Sequence, residues 1–290
     1  MNKMIAGFIS IVFTLFGCSS RDTIINKDDL TGYDYRLFQG TPAWTIAKAA
    51  EDQDTIKIAA LVAKDKSLLD VREPKFGETL LQITVMTLKY NSVKTLLELG
   101  ADPNTQDKYD GSSPFMDAAK IRLNDDGSYG SNPKYLVLLL KRGGDPNAEQ
   151  KGPRRRNGYD GRDTPLLNAC SSGYLDYVKI LVDAGANVHY DNNGMTPLFH
   201  AALERRSISI VLYLIEKGVD YKRPFLKNVD GKEIYLTDVM RDWLFDLNLP
   251  EYKKKMELAT FLKQNGMDYW KTAIPEQYYG LYSKEYLEKY

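Results

Sequence analysis

Cysteine and histidine are almost missing from this chain, with two of each in 290 residues. A disulfide framework needs more cysteine than that, and structural zinc sites need paired cysteines or closely spaced histidines. No Cys-x-x-Cys pair, no His-Glu-x-x-His and no Gly-x-Ser-x-Gly turn occurs, nor any glycine-rich phosphate loop closed by Lys-Ser or Lys-Thr. A zinc enzyme, a serine hydrolase and a nucleotide-driven enzyme are left without support. The chain reads as a non-enzyme with no cofactor and no evident small-molecule substrate. Net charge is missing too, since 39 basic residues balance 39 acidic ones. No global field draws the chain to nucleic acid or to an anionic surface. Beyond residue 20 there is no apolar run of transmembrane length.

What is present begins with a targeting segment. Lys3 precedes an apolar run at residues 4–16. That run is shorter than the roughly 20 residues a spanning helix needs, and it matches the apolar region of a signal peptide, 1–17. Leu15-Phe16-Gly17-Cys18 resembles the bacterial lipobox, although Phe16 stands where that motif usually has a smaller or β-branched residue. The resemblance implies that the Cys18 thiol receives diacylglycerol and becomes the new N-terminus, so that residues 18–40 form a lipid-anchored tether, with 19–40 also expected to serve as an entry strap to the repeats. Ser19 rather than Asp after the cysteine implies the outer membrane, facing the periplasm, in preference to the inner one. Cys170 then has no intramolecular partner. It sits in an apolar stretch, Leu166-Leu167-Asn168-Ala169-Cys170, and is expected as a small buried residue.

Self-similarity sets the fold. Thr164-Pro165-Leu166 recurs as Thr196-Pro197-Leu198 and as Ser113-Pro114-Phe115. Each of these openings, and Thr79 before them, is followed by an apolar helical run and then by a glycine ending: Gly100-Ala101-Asp102 after Thr79, then Gly143-Gly144-Asp145, Gly185-Ala186-Asn187 and Gly218-Val219-Asp220. Thr79 to Gly100 and Thr164 to Gly185 are both 21 residues, and Gly185 to Gly218 is 33. The chemistry explains the pattern. A Thr or Ser hydroxyl accepts from orphan amides at a helix start, Pro at the first helical position loses no hydrogen bond, and Gly past the second helix takes the left-handed conformation that ends it.

This period and wording resemble the ankyrin repeat, including the Ala-Ala centre at Ala118-Ala119 and Ala201-Ala202. The resemblance implies an all-α solenoid of about six stacked helix-turn-helix units with short β-hairpin fingers, at 41–75, 77–109, 111–150, 162–194, 195–228 and 230–269. The outer two units are degenerate, as terminal repeats of a solenoid are expected to be. Ser113 to Gly143 is 30 residues rather than 21, which predicts an inserted loop at 124–133. A second insertion between Asn147 and Thr164 carries Arg154, Arg155 and Arg156. Residues 270–290 are expected as an aromatic cap or tail.

The resemblance further implies a module that binds a protein partner through its fingers and inner helices. Tyrosine supplies rigid contact area with a polar tip, so Tyr109, Tyr159, Tyr190 and Tyr221 in the connections are the first contact candidates. The run Arg154, Arg155, Arg156 is a second candidate, suited to an acidic patch or to phospholipid headgroups. His200 is expected in a structural hydrogen bond and His189 in solvent. The expected role is a lipid-anchored envelope module, of immunity type or stabilising another envelope protein. The alternatives are an envelope structural protein touching lipid or cell wall, and a host-directed effector.

Overall fold

The computed structural model describes residues 22–152, 162–203 and 207–290. It is a stack of helix pairs: α1 (Trp44–Glu51) with α2 (Thr55–Lys64), α3 (Leu80–Met86) with α4 (Tyr90–Leu99), α5 (Pro114–Ala118) with α6 (Lys134–Lys141), α7 (Pro165–Ser172) with α8 (Leu175–Asp183), α9 (Pro197–Leu203) with α10 (Ile208–Glu216), and α11 (Leu236–Met240) with α12 (Pro250–Gln264). First helices of successive pairs pack on one another (α1 on α3, α3 on α5, α5 on α7, α7 on α9, α9 on α11), and most second helices form a parallel row. The all-α solenoid read from the repeats is the architecture found.

The openings work as their chemistry requires. The hydroxyls of Thr79, Ser113, Thr164 and Thr196 accept from the amides of Gln82, Met116, Leu167 and Phe199. Gly100 and Gly185 close their helices at φ of 104° and 90°, where a β-carbon would be strained. Each pair alone would leave an apolar face in water, and stacking buries it. Phe115, Leu139, Ala169, Tyr177, Leu181, Ala201 and Leu214 lie in one continuous core.

Polar links tie neighbouring units. Asn104 donates to Gly143 O at 2.8 Å and accepts from Asp145 N at 2.9 Å. One repeat on, Asn147 donates to Gly185 O at 2.9 Å and accepts from Asn187 N at 2.8 Å. The ladder stops where His189 takes the asparagine position. The insertion at 124–133 is a small hairpin with a Leu123–Tyr129 bridge. It lies over the next unit: the Tyr177 hydroxyl donates to Ile121 O and accepts from Asn132 N, both at 3.0 Å.

Regular β pairing is confined, among the described residues, to β1 (Leu226–Lys227) with β2 (Glu233–Ile234) and to isolated bridges such as Asn192–Met195. Residues 26–40, in the stretch expected as tether and entry strap, are folded onto the first two units. Leu37 and Phe38 are fully buried, and the Tyr35 hydroxyl meets Thr87 Oγ1 at 2.7 Å. The apolar side of α1 needs a cover, and this strap supplies one. No helix among the described residues is long and apolar enough to cross a membrane.

Candidate binding surface

The loops joining one helix pair to the next carry the tyrosines singled out above, and the fold gives them different surroundings. Tyr109 is 65% exposed and stands edge-on to Phe76, with ring centroids 5.5 Å apart. Its loop is tied by Asp107, whose Oδ1 accepts from the amides of Tyr109, Asp110 and Gly111. Tyr190 is half-buried and donates to Arg162 O at 2.9 Å, so it braces the neighbouring finger. Tyr221 is also half-buried and leans on Phe261 at 5.7 Å. Tyr109 is therefore the one of these three that offers most of its ring to a partner. Tyr159, Arg154, Arg155, Arg156 and Cys18 lie outside the described residues.

Two cavities open beside these loops. One, of about 130 Å³, is bordered by Val188, Tyr190, Thr196, Val219 and Arg223. The other, of about 350 Å³, lies between the strap and the first two fingers, bordered by Gly32, Tyr33, Phe76, Glu78, Asp107 and Tyr109 among others. The repeat pattern did not announce the second one. Tyr33 and Glu78 lie 45 positions apart and share no motif, and only the folding of the strap brings them together through Tyr33 N donating to Glu78 Oε2 at 2.9 Å.

The electrostatics of this corner are acidic. Burial drives the Glu78 carboxyl up to about 8, with Glu73, Asp117 and Asp107 adding to the effect against the Tyr33 amide. Burial raises the Tyr33 hydroxyl as well, together with Asp117, Glu78, Asp110 and Asp107. Glu73 is quieted by the amides of Lys75, Phe76 and Glu78. Beneath the cavity Gln82 joins Asp107 and Asp117, at 2.8 and 3.0 Å from its Nε2, and Lys120 pairs with Asp117 at 2.7 Å.

His200 shares a 2.7 Å hydrogen bond with Ser171 Oγ, and burial lowers its pKa against the pull of Asp163. His189 is exposed at its finger. Cys170 is fully buried, and burial raises its thiol far from the thiolate form. Among the described residues no cluster of His, Cys, Asp and Glu could hold a metal ion.

A row of exposed finger loops on a stack of paired helices defines a repeat protein that works by contact, and comparison with known families agrees. The family model described as "Ankyrin repeats (3 copies)" matches residues 115–224. Protein PhlB of Serratia liquefaciens is 33% identical over 184 residues, covering 62% of this chain and 71% of that protein. The chain belongs to the ankyrin-repeat family, a generally non-catalytic protein-interaction fold. Putative ankyrin repeat protein L92 of Acanthamoeba polyphaga mimivirus is 33% identical over 177 residues, with coverage of 51% of this chain and 40% of the relative. Alpha-latrocrustotoxin-Lt1a of Latrodectus tredecimguttatus is 34% identical over 93 residues, which is 32% of this chain and 6% of that one.

Proposed function

We propose that this ankyrin protein is a lipid-anchored binding module of the bacterial envelope, which holds another envelope protein in an immunity-type or stabilising role. The observation that carries the reading is the joining of two features. A lipobox-like segment ending in Cys18 precedes a fold whose business is protein contact. The exposed ring of Tyr109 gives the finger side a rigid aromatic anchor of the kind that dominates interface energetics. Anchoring through one lipidated cysteine would keep the stack at the membrane surface, where an envelope partner is concentrated.

The test is mild cross-linking in the protein's own cells, followed by purification from the membrane fraction. Wild type is expected to incorporate labelled palmitate and to bring down one partner in stoichiometric amount. Cys18→Ala is expected to lose the label and leave the membrane. A Tyr109→Ala variant, and a second carrying Arg154→Glu, Arg155→Glu and Arg156→Glu together, should map the bound face by losing the partner while keeping the label. An acylated, folded protein that captures nothing specific would overturn the reading.

A further inference from the structure

We infer that the cavity between the strap and the first two fingers is the socket for an arginine side chain of the protein partner, an inference that rests on the binding-module reading above. The floor of the socket is the Glu78 carboxyl group. Glu78 is 4% exposed, and its Oε2 accepts from Tyr33 N. Its Oε1 has no donor among the described residues. That oxygen is open to the cavity, and a guest cation that donates to it favours the ionised form which burial otherwise disfavours. Asp107 adds a second negative charge at the cavity wall, although its oxygens are engaged by Gln82 and by the loop amides.

The walls suit the same guest. Phe76, Tyr109 and Tyr33 border the cavity with aromatic rings; Lys75 Nζ already lies 5.1 Å from the Phe76 ring centroid, and Tyr109 is the exposed lip. A planar guanidinium stacks on such rings and at the same time donates to a carboxylate, which a compact ammonium does less well. Gly32 keeps the opening clear, since a β-carbon there would stand 2.9 Å from Glu78 Oε1. The cavity, about 350 Å³, falls within the roughly 300–1,000 Å³ of ligand-sized pockets. Two of the nearby lysines are committed elsewhere. Lys120 is held by Asp117, and Lys75 donates to the carbonyls of Lys27, Asp28 and Leu30.

The test uses the full chain in detergent, labelled with ¹⁵N-glycine, and two probes: N-acetyl-arginine amide and its neutral isostere N-acetyl-citrulline amide. Gly32 and Gly111 report on the cavity, and Gly218 and Gly266 serve as remote controls. The titration is run above the pH at which Glu78 ionises. We expect saturable shifts of Gly32 and Gly111 with the arginine probe and binding at least about tenfold weaker for the citrulline probe. Glu78→Gln keeps an acceptor for Tyr33 N and should weaken the arginine probe by about tenfold, with Tyr109→Ala weakening it by about threefold. Equal affinity for the two probes, no saturable shift, or unchanged binding in Glu78→Gln would overturn the socket. The two readings fail separately. A partner captured equally by wild type and Glu78→Gln removes the socket and leaves the binding module. Arginine bound in the socket with no partner captured in cells removes the envelope reading and leaves the socket.

Discussion

At the N-terminal end of the stack carboxylates crowd around Glu78, whereas at the C-terminal end two cations sit inside a ring of tyrosines. Lys255 is fully buried on α12, with its Nζ 3.7 Å from the Tyr290 ring centroid and 5.2 Å from that of Tyr269, and it donates to Trp243 O at 3.1 Å. Arg241 is 3% exposed; it donates to Tyr290 O at 2.6 Å and to Tyr269 O at 3.1 Å, and its guanidinium lies 4.1 Å from the Tyr269 ring centroid. Tyr278 closes the ring by donating to Asp242 Oδ1 at 2.7 Å. The middle of the stack needs none of this, because each unit there has a neighbour to cover its apolar face. Both ends depend on short cover segments, the strap at 26–40 and the tail at 270–290. The comparison teaches that buried charge can be relieved in two ways. Backbone amides quiet acids at one end, while carbonyls and aromatic faces quiet bases at the other.

The sharpest way to break this comparison is to remove the tail's anchor and a core residue of the middle in parallel. Tyr290→Ala empties the space above two buried cations and is expected to cost about 3–5 kcal/mol, the range for large aromatic truncations. Leu181→Ala, inside the central core, should cost about 2–5 kcal/mol. Urea unfolding followed by circular dichroism checks both. An effect of Tyr290→Ala below that of an ordinary surface change would mean that the tail is not a working cover.

A second experiment separates the ends by the sign of their pH dependence. Burial pushes the Lys255 amine down to about 7 from its ordinary 10.5, with Arg241 adding to the shift and Asp242 opposing it. The unfolded chain therefore holds this proton more tightly. The stability contributed by Lys255 is complete above its ordinary value and is lost as pH falls towards 7. Glu78 runs the other way. Its carboxyl is raised to about 8 from 4.5, so its contribution is complete at low pH and is lost as pH rises towards 8. Melting temperatures should show wild type gaining on Lys255→Met from about pH 7 to 9.5, and losing ground to Glu78→Gln from about pH 5 to 8. Parallel curves for wild type and either variant would refute the assigned group. Lys255→Met should also be neutral or stabilising at pH 7, since an apolar isostere escapes the desolvation cost.

The smallest effect belongs to the ladder between middle units. Asn147→Ala removes two exposed inter-repeat hydrogen bonds and should cost about 1–2 kcal/mol, checked by the same unfolding curves. No measurable loss would mean that apolar stacking alone joins those units.

The middle of the stack was legible because its chemistry is periodic. A threonine or serine at each opening (Thr79, Ser113, Thr164, Thr196) and a glycine 21, 30, 21 and 22 residues later recur where helices start and stop. The two ends were less legible because their contacts are made once and between distant positions. Nothing in the local sequence pairs Tyr33 with Glu78, or Arg241 with Tyr290. One signal was available. Lys255 stands three, four and seven positions before Leu258, Ala259 and Leu262, which puts a cation on the apolar face of its helix. The tyrosines show a different limit. Their presence in the fingers could be read, but whether a ring faces water or braces a neighbour is decided by packing. That decision separates Tyr109 from Tyr190 and Tyr221.

Cys170 gives the central repeats a chemical clock. Its sulfur is sealed between α7 and its neighbours and held as the unreactive thiol, so an alkylating reagent must wait for those helices to part. The ratio of its modification rate to that of a free thiol is then the equilibrium constant for local opening. Read with the strap or the tail loosened, that rate tells how far a disturbance at either end travels along the stack before it dies out.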